Sequence, residues 1–384
     1  MDTRLLKALQ ADPGLQRRAA EALRSAGRRA ALELRRDGTD PELAAAALTL
    51  AELRVKARAK FGERADELYF TREGLEQATR WPVAERRAAR LARHADEVSD
   101  LCCGLGTDAL ALAQAGLRVE AVEADAATAA LAGANAEALG LEVEVRVGDA
   151  LAAPLRAAVF SDPARRGGAG RTFDPAAYAP PLDRLLDRLA EAGAAAVKLG
   201  PGVRREWLPG GAEAEWVSVD RDVVEACLWL GGAAEVPRRA SVCKDGTWHE
   251  LTGTGEQRAE TGGVGRYLYE PDGAVIRAGL VAELAERLGA HTAHPDIAYL
   301  YGDELLRSPF ARVWKVEEIW PLNAKKVRRM LADRGIGTLT IKQRGTGIDP
   351  SKFRNELKLK GSEEATLVAT RVGKTHAAIL CSEL

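Results

Sequence analysis

Apolar positions in the first seventy residues recur every three or four places, with arginine and glutamate between them. The segments LLKALQ, LQRRAAEALRSAGRRAALELRR and PELAAAALTLAELRVKARAKFG therefore predict helices, punctuated by Gly27, Gly38, Pro41 and Gly62. TREGLEQATRWPVAERRAARLARHA (71–95) predicts partly helical structure leading into the next unit. From there the period changes. The short apolar runs EVSDLCC, RVEAVEA, VEVRVGD, AAVFSD and AAAVKLG predict strands, and TDALALAQAG, AATAALAGANAEALG and YAPPLDRLLDRLAEAG predict helices between them. Alternating strands and helices argue for an α/β fold with a doubly wound, mainly parallel sheet. AEWVSVD and VVEACLWLG are separated only by Arg221 and Asp222, which predicts an antiparallel hairpin at the end of that sheet.

RASVCKDGTWHEL predicts a second hairpin turning at Asp245-Gly246, and DGAVIRAGLVAELAERLGA a single helix. Beyond residue 310 the order is strand, helix, strand, helix and two strands, a small α+β module. A chain of 384 residues exceeds one ordinary core. The expected organisation is a helical domain over 1–70, an α/β domain over 71–235, a connecting region with hairpin and helix over 236–310, and an α+β domain over 311–384.

Charge sharpens this picture. The whole chain carries a formal −1, yet residues 311–384 hold 15 Lys/Arg against 8 Asp/Glu and the rest holds 40 against 48. A basic end module suits an anionic partner such as nucleic acid as well as it suits a solvated face. The five cysteines, Cys102, Cys103, Cys227, Cys243 and Cys381, form no CxxC pair, which favours a reduced, cytoplasmic protein without a zinc site. His291 and His294 form a lone HxxH without nearby ligand partners, and a surface position without metal is expected. The opening residues lack an apolar core of signal-peptide length, and no run reaches the length of a membrane span, so no membrane partner is expected.

The chemistry concentrates in VSDLCCGLGTDALALA (98–113). A strand runs into Gly104 and Gly106, where backbone can approach a ligand, and a helix N-terminus with free N–H groups follows. A dinucleotide fingerprint fits poorly, because Cys102 stands at the first glycine position and Asp108 just inside the helix would repel a pyrophosphate. A ligand bearing an ammonium and a sulfonium, S-adenosylmethionine, is better tolerated. Glu123 ends the second strand where a carboxylate can take both ribose hydroxyls, and Asp149 ends the third where it can accept from an adenine amino group. Asp100, Gly104, Glu123 and Asp149 then converge at the carboxyl ends of the strands.

DLCCGLGTDALALA, AVEAD, VGDA and DPARR together resemble class I SAM-dependent methyltransferases with a Rossmann-like sheet. LYFTREGLEQAT, VKLGPG, YLYEPDGAVIRAGL and TIKQRGTGIDPSKFRNELKLKG resemble the bacterial methyltransferase family with a C-terminal THUMP-like domain, so the resemblance spans residues 68 to 384. The core order also resembles the trimethylguanosine synthase group. The resemblance implies S-adenosylmethionine as cofactor, at Asp100, Cys102, Gly104, Gly106, Thr107, Asp108, Glu123, Ala124, Asp149 and Ala150. It also implies RNA as partner, by analogy with THUMP proteins. Oligomeric state is not legible.

In the resembled enzymes the fourth strand ends in (Asp/Asn/Ser)-Pro-Pro-aromatic, whose first residue holds the target amine. Here Asp162-Pro163 matches the first half, while Ala164 and Arg165 replace the rest. Phe173 or Tyr178 is then a candidate stacking platform, or Arg165 through its guanidinium plane. Arg165 and Arg166 have three readings: phosphate ligands, a partner for Asp162, or a solvated loop. Gly167, Gly168 and Gly170 would allow a mobile flap. Lys198 ends the fifth strand as a further candidate for the reaction site, or as a rim salt bridge. Lys342, Arg344, Lys352, Arg354, Lys358 and Lys360 cluster in the tail and favour phosphate contact over base reading. Three functions remain open: methyl transfer to an exocyclic amine of an RNA guanine or adenine, methyl transfer to a protein or small-molecule amine, and binding of both SAM and RNA without catalysis.

Overall fold

The computed structural model describes residues 1–165 and 177–384, and the chain forms two compact units. The first comprises Met1–Ala212 and Cys227–Glu235. It opens with helices α1 (Thr3–Ala11), α2 (Pro13–Ala26), α3 (Ala30–Arg36) and α4 (Pro41–Phe61). Their limits follow the expected punctuation: Gly27, Gly38 and Gly62 adopt positive φ at helix ends, and Pro41 opens α4 behind the cap of Asp40. Helices α5 (Arg72–Gln77) and α6 (Trp81–Leu91) lead into β1 (Glu97–Leu101), α7 (Thr107–Gln114), β2 (Arg118–Glu123), α8 (Ala126–Ala138), β3 (Val143–Val147) and β4 (Ala158–Ser161). The short pair β5 (Ala164–Arg165) and β6 (Tyr178–Ala179) precedes α9 (Leu182–Leu189) and β7 (Ala194–Leu199). The strands align β7-β4-β1-β2-β3, and every pairing is parallel. The order reverses beside β1, and ligands of open α/β sheets bind at such a reversal.

The N-terminal helices do not form a core of their own. Leu50, Leu53, Phe61, Phe70 and Trp81 pack with Leu105, Leu110 and Leu131 of the sheet region in one cluster. A segment of about 60 residues buries only about 60% of its surface by itself, so the helices gain by sharing a core with the sheet region. Asn135 of α8, fully buried, joins the two regions: its Oδ1 accepts from the Tyr69 N–H at 2.7 Å, and its amide donates to the Tyr69 and Leu105 carbonyls at 3.2 and 3.0 Å. Replacing it by alanine strands these three groups, at about 1–3 kcal/mol for each one left unsatisfied. The expected result for Asn135→Ala is a loss of at least about 2 kcal/mol in denaturant unfolding; a midpoint equal to wild type would remove this role.

The second unit comprises Glu213–Ala226 and Val236–Leu384. Strands β8 (Glu213–Val219) and β9 (Asp222–Gly231) join through Asp220 and Arg221, both at positive φ, the backbone of a two-residue hairpin turn. The hairpin β10 (Arg238–Lys244) and β11 (Thr247–Gly253) turns at Asp245-Gly246 as expected. β10 pairs in parallel with β8. After β12 (Tyr267–Pro271), the single helix expected over 272–290 is two, α10 (Gly273–Ala278) and α11 (Val281–Leu288), because Gly279 adopts the left-handed conformation and ends the first. β13 (His291–Thr292) and β14 (Leu300–Gly302) follow. His294, expected at the surface, is buried, with its Nδ1 accepting from the Asp296 N–H.

The tail has the expected order: β15 (Ala311–Pro321), α12 (Ala324–Ala332), β16 (Ile336–Gln343), α13 (Pro350–Leu357), β17 (Glu363–Val372) and β18 (Thr375–Ser382). Its sheet, however, continues into the segment read as a connector, in the order β13-β14-β12-β15-β18-β17-β16. Residues 236–310 thus share a unit with the tail. Pairing between strands distant in sequence leaves no trace in local periodicity. On one face of this sheet, Val327 and Leu331 of α12 and Phe353 and Leu357 of α13 pack on Leu339, Ile341, Leu367 and Leu380.

Candidate functional site

β1 ends in a loop in which Cys102, Gly104 and Gly106 all adopt positive φ. The two glycines do different things. A Cβ on Gly104 would meet nothing within 4 Å, so that backbone faces open space. A Cβ on Gly106 would sit 3.2 Å from Ala132 Cβ, so its absence lets α8 close on the loop. The Cys102 and Cys103 N–H groups both donate to the Val122 carbonyl and are spent on holding the turn. Burial beside the Glu123 and Asp100 carboxylates pushes the Cys102 thiol up to about 12, so it stays protonated at neutral pH. Thr107, at the start of α7, is buried.

Asp100 is wholly buried, and among the described residues neither of its carboxylate oxygens has a hydrogen-bond partner of standard geometry. Burial pushes it well above the usual aspartate range; the Asp108 and Asp162 charges add to the rise and Arg87 opposes it. Buried carboxylates are ordinarily satisfied, so an orphaned pair of oxygens fits a site for a ligand cation. Glu123, at the end of β2, accepts from the Gly104 N–H at 3.0 Å through Oε2 and from the Asp125 N–H at 3.1 Å through Oε1. A carboxylate has about four lone-pair sites, so this leaves room for two hydroxyl donors. Ala124 is exposed beside it. Asp149 is exposed past β3 with one oxygen on the Leu151 N–H, and Ala150 is buried.

Asp108 departs from expectation. Its carboxylate turns inward, one oxygen in an ion pair with Arg87 and the other accepting from the Thr79 hydroxyl at 2.7 Å. Buried and already paired, it neutralises a guanidinium that also lies 4.4 Å from the Phe160 ring centroid, and its charge is spent inside the fold. A carboxylate at the first turn of a helix is favoured by the dipole as well. No spacing in the sequence marks Thr79 and Arg87 as its partners.

At the end of β4, the Asp162 N–H donates to the Leu101 carbonyl, and one carboxylate oxygen receives Lys198 Nζ at 2.6 Å. The same ammonium donates to the Gln77 carbonyl at 3.1 Å. Enclosure raises Asp162 above the ordinary aspartate range, and Lys198 pulls against that rise. The neighbouring carbonyls of Leu75, Glu76 and Ala78 are taken by Lys60 of α4 at 2.8, 2.8 and 2.9 Å. Lys60 thus ties the end of α5 to α4 while Lys198 ties it to the strand ends, and burial with the nearby Lys198 and Arg80 charges lowers Lys60 to about 8. Lys60 lay outside the sequence-based candidates, since only the fold brings α4 to α5. Pro163 is buried. The Arg165 backbone pairs with Tyr178, whose ring is buried, so Tyr178 is no open platform for a base. Arg166, Phe173, Gly167, Gly168 and Gly170 lie outside the described residues.

The tail cations divide into two groups. Lys342 on β16 and Arg344 just past its end are half-buried and tied to Glu270, Lys342 at 2.7 Å and Arg344 at 3.7 Å. Lys342 also lies 5.0 Å from the Trp314 ring centroid and Arg344 4.7 Å from that of Tyr299. They balance a nearly buried carboxylate and are not free for phosphate, contrary to the sequence reading. Lys352, Arg354, Lys358 and Lys360 are exposed. Among the described residues no group of His, Cys, Asp and Glu is placed to hold a metal, and no helix is long and apolar enough to cross a membrane.

Residues 311–383 match the THUMP domain-like family. Over 335 residues, 84% of this chain, the sequence is 37% identical to an uncharacterised S-adenosylmethionine-dependent methyltransferase found in two Mycobacterium tuberculosis strains, and covers 91% of that protein. The fold is similar to that of a protein from Porphyromonas gingivalis W83 whose crystal structure is assigned to the methyltransferases, with a TM-score of 0.71 at 23% identity, covering 89% of this chain and 91% of that one. A glycine-turn loop with open space above it, an orphaned carboxylate for a cation and a strand-end glutamate suit S-adenosylmethionine. The chain belongs to the S-adenosylmethionine-dependent methyltransferases, with a class I Rossmann-like sheet and a C-terminal THUMP-like domain.

Proposed function

We propose that the enzyme methylates an exocyclic amine of an RNA base, guanine or adenine. The observation that carries this reading is Asp162 at the end of β4, beside Asp100 and the open glycine loop, with one oxygen already occupied by Lys198. Its other oxygen can accept from an amine N–H. Doing so orients the nitrogen lone pair, and orientation supplies much of the catalysis in such transfers. Bound S-adenosylmethionine supplies an electrophilic methyl on a sulfonium. The carboxylate then faces the nitrogen as it gains positive charge and becomes the nearest acceptor for its proton.

In the same reading Asp100 receives the cofactor ammonium, Glu123 the ribose hydroxyls and Asp149 the adenine amino group. The Asp108 and Asp162 charges add to the rise of Asp100, a repulsion that the sulfonium and ammonium of the cofactor would relieve. Glu123→Ala removes a charged acceptor worth about 1.5–3 kcal/mol per hydrogen bond, so the cofactor Kd should rise by about 10- to 100-fold if one ribose hydroxyl is lost and about 10²- to 10⁴-fold if both are. Titration calorimetry with S-adenosylmethionine checks this, and an unchanged Kd rejects the site.

RNA is favoured over protein as the acceptor by the THUMP domain-like match and the basic excess of residues 311–384. The deciding experiment follows tritium from labelled S-adenosylmethionine into total RNA and total protein from a strain lacking the enzyme. Label in an exocyclic amine of RNA is expected. Label confined to protein or to small molecules would overturn the reading.

A further inference from the structure

We propose that the outward face formed by α12 and α13 docks the phosphodiester backbone of RNA, without reading its sequence; this rests on the reading that the acceptor is RNA. Between residues 324 and 360 there are 11 Lys/Arg and 3 Asp/Glu. Of these cations, Lys325, Lys326, Arg328 and Arg329 on α12, and Lys352, Arg354, Lys358 and Lys360 on or after α13, are exposed. None of the eight has an ion-pair partner among the described residues.

Both helices bury their apolar stripes on the same side of one sheet and lie against each other. Their polar faces are therefore continuous, and Lys325, Lys326, Arg328 and Arg329 occupy the outward positions around the buried Val327 and Leu331. Stability does not account for them. Lys325 and Lys326 stand in the first turn of α12, which has no acidic residue, although the helix dipole disfavours cations there. Four neighbouring cations on one helix also repel each other. The arrangement is unfavourable until a polyanion covers it.

The chemistry of the face selects among polyanions. It carries no exposed aromatic side chain to stack on bases, so contact is to phosphate. It has no exposed large apolar side chain either, whereas a membrane-binding helix needs an apolar face free to enter the lipid. Lys342 and Arg344 contribute little, because Glu270 already holds them.

The test uses the full chain. Binding of two labelled RNAs of unlike sequence is measured from 50 to 200 mM salt, for wild type and for Lys325→Glu/Lys326→Glu/Arg328→Glu/Arg329→Glu. The control reverses four exposed arginines elsewhere, Arg17, Arg24, Arg35 and Arg36, giving the same change in net charge. Wild type should bind both RNAs alike. The α12 variant should bind each at least about tenfold more weakly, with a log K against log salt slope reduced by about 3. The control should keep most of the wild-type affinity. A second variant, Lys352→Glu/Arg354→Glu, should give a smaller loss. If wild type binds RNA and the α12 variant matches it, the docking face is refuted while the RNA reading survives. If wild type binds no RNA, the RNA reading itself fails. Tighter binding to phosphatidylserine vesicles or polyglutamate than to RNA would also overturn the proposal.

Discussion

Asp162→Ala should lower methyl transfer by about 10²- to 10⁴-fold, the range for losing a positioned group that holds and deprotonates the acceptor. Cofactor affinity should change far less, since Glu123 and the glycine loop are untouched. Single-turnover transfer of labelled methyl, set beside calorimetric binding, separates the two quantities. Equal transfer by wild type and variant would remove Asp162 from the chemistry. The pH profile adds a sharper test. The carboxylate must be ionised to accept from an amine, so activity should fall as pH drops through its raised pKa. Lys198 lowers that pKa by charge and by hydrogen bonding, so Lys198→Met should move the acid limb to higher pH. A Lys198 variant that lost activity without moving the limb would mark a purely structural lysine.

Arg87→Leu should cost about 3–5 kcal/mol of stability, the range for leaving one member of a buried ion pair without its partner. Arg87 is almost fully buried, and its loss leaves Asp108 without its cation, within reach of the Asp100 and Asp162 charges, and removes the contact with Phe160. Thermal unfolding should show a fall of roughly 6–20 °C for a unit of this size. The double variant Arg87→Leu/Asp108→Leu removes both charges and should recover much of that loss. A single variant as stable as wild type would show that the pair does not carry the loop. Because α7 and the glycine loop sit on this pair, Arg87→Leu should also weaken cofactor binding in the protein that remains folded.

Much of the catalytic unit was legible beforehand, because strand and helix periods are local. The five parallel strands, the glycine turn and the strand-end positions of Asp100, Glu123, Asp149, Asp162 and Lys198 all follow from residue order. The helix read over 272–290 misled because one glycine at positive φ outweighs an amphipathic pattern. The domain limits misled because cores and sheets recruit distant segments: Leu105 and Leu131 for the N-terminal helices, β12 and β14 for the tail.

Charge shows the division most plainly. Sequence alone determined which strand ends carry carboxylates, that a glycine loop precedes α7, and that the tail has excess positive charge. Tertiary structure alone decided which charges are spent. Asp108 faces Arg87 across 21 positions and Thr79 across 29, so its charge is spent inside the fold. Lys342 meets Glu270 across 72 positions and is withdrawn from the surface, while Lys325, Lys326, Arg328 and Arg329 meet no acid among the described residues and stay available. Ion pairing depends on distances of a few ångströms between side chains far apart in the chain. Periodicity reports only which way a side chain faces along its own element, and the fold decides what waits on the other side.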